Sequence, residues 1–185
     1  KVGWHLGWDS IQELIDTGLD KNRLEKMQRA MLAVDGVRGI HRLRTRRMAH
    51  QIIADVHVMV EPLISVSEGH RISEEVERAF ERELDDDTDV TVHIDPEEDE
   101  FGPPALLPLR GEIVPPLLER WAELSEVPVE HVVLHYLERK VNIEIHLSGH
   151  PPIKPELLKQ HIEHLRSLYA GDTMIGEVNA VVSAI

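Results

Sequence analysis

Apolar and polar residues alternate most cleanly between Gln51 and Glu61. Ile52, Ala54, Val56, Val58 and Val60 fall on one face there, and Asp55, His57 and Met59 on the other. A period of two belongs to a half-buried strand, so His57 is predicted to point away from the core. Upstream, Asp20 has the position of an N-cap for a helix that carries Leu24, Met27 and Met31 on one face and stops at Asp35-Gly36. A strand follows from Val37, then a hairpin near Arg46 to His50. Downstream, Pro62 closes the alternating strand, and Ser65 with Glu68 has capping-box spacing. The helix that begins there is predicted to run through Leu84, burying Ile72, Val76 and Phe80 and leaving His70 among polar positions near its start. In the last strand Val90, Val92 and Ile94 face in, so His93 and Asp95 share the outward face two residues apart. The order helix, strand, strand, helix, strand predicts an α+β domain with helices covering one face of an antiparallel-rich sheet.

The same order returns further on. Residues 97–111 are rich in proline and charge and are expected to be a linker. Pro115 and Pro116 are predicted to start a helix carrying Leu117, Leu118, Trp121 and Leu124. Strands are expected near His131–Arg139 and Lys140–Ser148, a helix over Lys154–Tyr169, and a final strand over Gly176–Ile185. Val37 to His41 has the spacing of Val127 to His131, and the VHV around His57 matches the IHL around His146. The last strands differ: where the first half has His93 and Asp95, this reading gives the second Glu177 and Asn179. Tandem copies of one architecture are expected, the second poorer in metal-binding side chains.

Composition narrows the function classes. Thirty-four acidic residues against 20 basic ones give a formal charge of −14, which argues against nucleic acid as a partner because phosphate binding needs a basic surface. The absence of cysteine removes thiolate chemistry, disulfides and cysteine-type zinc fingers together. No run approaches the ~20 apolar residues of a membrane-crossing helix, and the chain opens at Lys1 without an initiator Met or signal pattern, as a piece of a longer protein would. No glycine-rich phosphate loop or serine nucleophile motif occurs, and Asp85 to Asp89 lacks the glycine and distal glutamate of a calcium loop. An enzyme is not expected; a metallohydrolase would need an open coordination position and a positioned base, and neither is identifiable.

Twelve histidines are the unusual feature. His41, His57, His70, His93 and Asp95 recur on four predicted elements, and imidazole and carboxylate are the usual ligands of divalent transition metals. Five ligands exceed one tetrahedral ion, so two ions, or one shared between subunits, are implied. Asp55 and the Asp85 to Asp89 turn are candidates to orient the imidazoles from outside the ligand set. Taken singly, an outward histidine is usually a surface residue, and His50, His150 and His164 are read so. The competing expectation is a tandem ferredoxin-like ligand-sensing or interaction module whose histidines bind no metal.

GVRGIHRLRTRR, IIADVHVMVEP, EGHRISEEVERAF and DVTVHIDP together resemble the C-terminal cytosolic domain of the cation diffusion facilitator (cation efflux) transporters, over residues 1–96. The resemblance implies a ferredoxin-like (metallochaperone-like) αββαβ fold, a homodimer, and attachment to a transmembrane part absent from this chain. Divalent cations bound near the dimer interface would favour the transport-competent state. Carried over by motif, the metal ligands fall on His41, His57, His70, His93 and Asp95, with zinc foremost and iron, manganese, cobalt or cadmium acceptable. From the residues alone, the stretch with Trp4 and Trp8 reads as a short helix packed on its own domain; the resemblance instead makes 1–19 a juxtamembrane linker, 20–96 the dimerisation domain, 97–111 a linker and 112–185 a divergent repeat. In that repeat Glu144 and His146, with His131 or His161, are candidates for a weaker site; the alternative is a scaffold copy that only enlarges the interface.

Overall fold

A computed structural model describes residues 19–48, 51–84, 87–98, 106–150 and 152–183. The juxtamembrane expectation for the N-terminal stretch and the tip of the first hairpin lie outside these residues. The chain divides into two units, 1–100 and 101–185. Among the described residues no helix is long and apolar enough to cross a membrane.

The first unit consists of α1 (Lys21–Leu32), β1 (Gly39–Met48), β2 (Gln51–Met59), α2 (Val66–Glu81) and β3 (Asp87–Asp95). This is the αββαβ order of the expected ferredoxin-like class. Asp20 caps α1, its Oδ1 accepting from the amides of Asn22 and Arg23, and Ser65 Oγ caps α2 by accepting from the Glu68 amide. Strand β2 is central. It pairs antiparallel with β1 and parallel with β3, the parallel pair requiring the α2 crossover; half of the pairing is therefore parallel, more than the antiparallel-rich expectation. The inward residues Ile52, Ala54, Val56, Val58 and Val60 pack with Met27 and Met31 of α1 and Ile72, Val76 and Phe80 of α2. Each large aliphatic buried this way contributes about 1.5–3 kcal/mol. Both helices lie on this side. Gly36 makes the turn from α1 to β1 with φ of 88°, and a methyl group there would come within 2.6 Å of Ile72 Cδ1, so both backbone angle and space call for glycine.

One irregularity decides the chemistry of the other face. The β1–β2 register runs His41 opposite His57, then Arg44 opposite Asp55. Arg42, at φ 54°, and Leu43 together face Val56, a β-bulge. In a regular strand, residues 41 and 44 would point to opposite faces. The bulge inserts the extra residue and keeps both outward, while Leu43 rejoins the core.

The second unit repeats the order with α3 (Arg110–Leu124), β4 (Val129–Leu137), β5 (Lys140–Leu147), α4 (Pro155–Tyr169) and β6 (Ile175–Val182). Its core is formed by Ile113, Leu117 and Trp121 of α3, Val141, Ile143, Ile145 and Leu147 of β5, and Ile162 and Leu165 of α4. Trp121 Nε1 donates to the Val127 carbonyl at 2.8 Å. Two expectations are corrected here. Helix α3 starts at Arg110, upstream of Pro115 and Pro116, which sit inside it; the Glu112 side chain closes that start by accepting from the Leu109 amide at 2.8 Å. In β6 the register shifts between Val141–Ile175 and Ile143–Val178. Gly176 and Glu177 bulge there, and Asn142 Oδ1 accepts the Glu177 amide. The residues matching His93 and Asp95 are consequently Val181, opposite His146, and Ser183, two positions on; Glu177 and Asn179 lie nearer the start of the strand.

Candidate metal centre

The register of the first sheet places His41, His57 and His93 in one row across its three strands. All three point outward, because each aligns with the outward set of β2. The His57 and His93 rings stack at 4.5 Å between centroids with planes 9° apart, and His41 tilts toward His57 at 5.3 Å. Asp95 starts on β3 level with Met59 and reaches back over β2. Its Oδ2 lies 2.8 Å from His57 Nδ1, a hydrogen bond in which the imidazole donates, and 3.2 Å from His41 Nε2. Asp55 Oδ1 lies 3.0 Å from His93 Nε2.

Two groups of metal-competent atoms result, each within 4.8 Å: His41 with His57 and Asp95, and Asp55 with His57 and His93. His57 belongs to both. Several of these atoms are close without being hydrogen-bonded. Both His41 nitrogens and Asp55 Oδ1 are buried and lack a hydrogen-bond partner despite the short separations. A buried polar atom left without a partner costs about 1–3 kcal/mol. Clustered nitrogen and oxygen donors, several of them without a hydrogen bond, are what a cation needs, so the donor types suit a divalent transition metal, with three donors in each group.

Four of the five residues expected from the sequence are brought together. The fifth, His70, is not among them: it stands on the exposed side of α2, its side chain 74% accessible, 3.6 Å from Glu74. Asp55, expected only as an orienting carboxylate, belongs to one of the two candidate donor groups. The signal for it was present in the alternation itself, since it lies two residues before His57 on the same face.

The second sheet keeps part of this arrangement. His131 opposes His146 with rings stacked at 4.0 Å, and Glu144 Oε1 is 2.5 Å from His146 Nε2. His161 lies elsewhere, edge-on to Trp121 at 5.8 Å between the helices, away from Glu144 and His146. Among the described residues no group of three donors forms in this unit.

Comparison with known proteins covers the first unit. Residues 19–97 match the family model described as "Cation efflux protein, cytoplasmic domain"; the second unit lies outside that match. Metal tolerance protein 2 of Oryza sativa subsp. japonica is 38% identical over 94 residues, 51% of this chain and 24% of the relative. Metal tolerance protein C1 of Arabidopsis thaliana is 39% identical over 95 residues, 20% of its length, and the cation-efflux pump FieF of Pectobacterium atrosepticum is 28% identical over 91, 30% of its length. The chain thus spans a quarter or so of the curated relatives it matches. Among solved structures, a nickel form of a MamM CTD variant is 26% identical, covering 43% of this chain and 100% of that one at a TM-score of 0.40.

Proposed function

Because residues 19–97 match the family model of the cation efflux cytoplasmic domain, we propose that the first unit is the metal-sensing and dimerisation module of a divalent-cation efflux transporter. The observation that carries this reading is the row of outward histidines meeting Asp55 and Asp95, with buried donor atoms that lack hydrogen bonds. His41, His57 and Asp95, or Asp55, His57 and His93, would hold an ion; a neutral His57 imidazole has one free lone pair and serves one of the two sets at a time. His70 is too far round α2 to join either set within one chain, and would act from a second copy. Zinc suits nitrogen–oxygen sets of this kind, and iron, manganese, cobalt and cadmium are the competitors.

The bound cation supplies positive charge between two acidic subunits. The residues do the rest. Stacked on a rigid sheet, the imidazoles are fixed before binding, so little ordering entropy is spent. A dimer arrangement that completes coordination binds the ion better than one that does not, and this difference in affinity alone sets the population shift toward the transport-competent state. Imidazole must be neutral to coordinate, so protons compete with the cation for these side chains. The second unit, holding three of the five equivalent side chains, is read as a scaffold copy that extends the same assembly.

The test is metal content and calorimetry of the purified chain. At a zinc concentration one hundred times Kd, stabilisation of about 2.7 kcal/mol is expected, and replacing His57, His93 and Asp95 together by Ala should abolish it with the fold intact. Unchanged stoichiometry in that variant would remove those residues from the site. Absence of any metal uptake in the unaltered chain would favour the competing reading, a tandem interaction module whose histidines form only a polar network.

A further inference from the structure

The outward face of the first sheet carries one more side chain able to bind a metal. Met59 is the last residue of β2, two past His57 and hence on the same face. It is in register with Asp95 on one side and Gly39 on the other. Its side chain lies over β1: a methyl group at position 39 would come within 2.8 Å of Met59 Cε. Gly39 is two residues before His41, so the thioether leans toward the strand that carries His41, one outward position from it. From the opposite side the Asp95 carboxylate crosses β2 to reach both His57 and His41. His41, His57, Asp95 and Met59 therefore surround one patch of the sheet. The first three supply two nitrogens and an oxygen, one donor short of a tetrahedron.

We infer that Met59 is the thioether ligand that completes the His41, His57 and Asp95 set and tilts it toward soft divalent cations such as cadmium. This rests on the reading of the sheet as a metal centre. Thioether sulfur is a soft, polarizable donor with little affinity for hard ions; it would strengthen cadmium binding and leave manganese binding almost untouched. Gly39 belongs to the same device. Any side chain there would occupy the space into which Met59 folds.

X-ray absorption of the cadmium-loaded 185-residue chain gives a direct reading. With no cysteine in the sequence, a cadmium–sulfur shell can come only from methionine; of the other four, Met27 and Met31 are buried in the core, Met48 ends β1 at the opposite end from Gly39, and Met174 belongs to the second unit. A sulfur shell is expected in the unaltered chain and should vanish in Met59→Leu, which keeps size and apolarity. Competition titrations should show cadmium affinity falling about tenfold in that variant while manganese affinity changes by less than about twofold. Gly39→Ala, which displaces the thioether without removing it, should weaken cadmium in the same sense. A shell of only nitrogen and oxygen in the unaltered chain, or equal losses for cadmium and manganese in Met59→Leu, overturns the assignment. Failure to take up either cation would instead bring down the metal-centre reading itself.

Discussion

Level by level, His41, His57 and His93 of the first sheet correspond to His131, His146 and Val181 of the second, and Asp55 and Asp95 correspond to Glu144 and Ser183. Two strands out of three have kept their donors; the third has lost both. In the first unit the Asp95 carboxylate must reach across β2 to serve two imidazoles, and the buried His41 nitrogens are left without hydrogen bonds. In the second, Glu144 turns to His146, and Ser183 donates to Glu130 at 2.8 Å. One face leaves the His41 nitrogens and Asp55 Oδ1 without hydrogen bonds, and on the other Glu144 pairs with His146 and Ser183 with Glu130. Identical architecture therefore does not entail identical chemistry: the fold fixes where outward side chains stand, and the edge strand decides whether they can act together.

The comparison breaks most visibly if metal uptake can be lost from the wrong unit. Phe80, on α2, is fully buried in the core of the first unit, and Trp121, on α3, is buried in the core of the second. Truncation of either to Ala should cost about 3–5 kcal/mol, the Trp121 change also orphaning the Val127 carbonyl. Only Phe80→Ala should abolish zinc uptake, as read by equilibrium dialysis. Loss of uptake in Trp121→Ala would mean that the ligand chemistry is not confined to the first sheet. A smaller effect sharpens the contrast from the other side. Val181→His with Ser183→Asp restores the missing donors beside His131, Glu144 and His146, and should add at least one bound zinc per chain, with about 2.7 kcal/mol of extra stabilisation at one hundred times the new Kd. Unaltered stoichiometry would show that the β6 bulge, and not the lost side chains, separates the two faces.

Much of this was open to sequence reasoning because the side-chain period of a strand is two. Once Ile52 to Val60 are taken as inward, His57 and Asp55 have no choice of face, and the same holds for His93 and Asp95. The αββαβ order, the Asp20 and Ser65 caps and the tandem repeat followed from periodicity and capping chemistry. What stayed hidden were irregularities without a residue signature. The bulge beside His41 puts an arginine, not a glycine, at positive φ. The bulge in β6 hides at Gly176-Glu177, so equal spacing slides the last strand of the second unit past its true partners. The prolines of α3 marked a helix but not its start, because the Glu112 side chain closes a turn further upstream. His70 fell into the motif but not into the pocket, since a helix face cannot be placed against a sheet edge by spacing alone.

The covering helices repeat the contrast on a smaller scale. On α2, Arg71 pairs with Glu74 and Glu75, and Arg78 reaches Glu75 at 2.8 Å. On α4 the only such pair along the helix among the described residues is Lys159 with Glu163, at 3.9 Å. Desolvation alone would raise the Glu75 carboxyl, but Arg71 and Arg78 outweigh it and hold it below the usual carboxylate range. A carboxyl whose folded pKa is depressed stabilises the fold above its unfolded value and loses that contribution as the pH falls through the folded one. In metal-free protein at low salt, the first unit should therefore lose somewhat more stability between about pH 5 and 3 than Glu75→Gln does, where that carboxyl no longer titrates. The effect is small because the pair is open to solvent, and it should shrink further as salt is raised. Acid denaturation profiles of the two proteins that run parallel at low salt would show that the α2 network, unlike the row of histidines on the opposite face of the sheet, contributes nothing measurable to what distinguishes the first unit from the second.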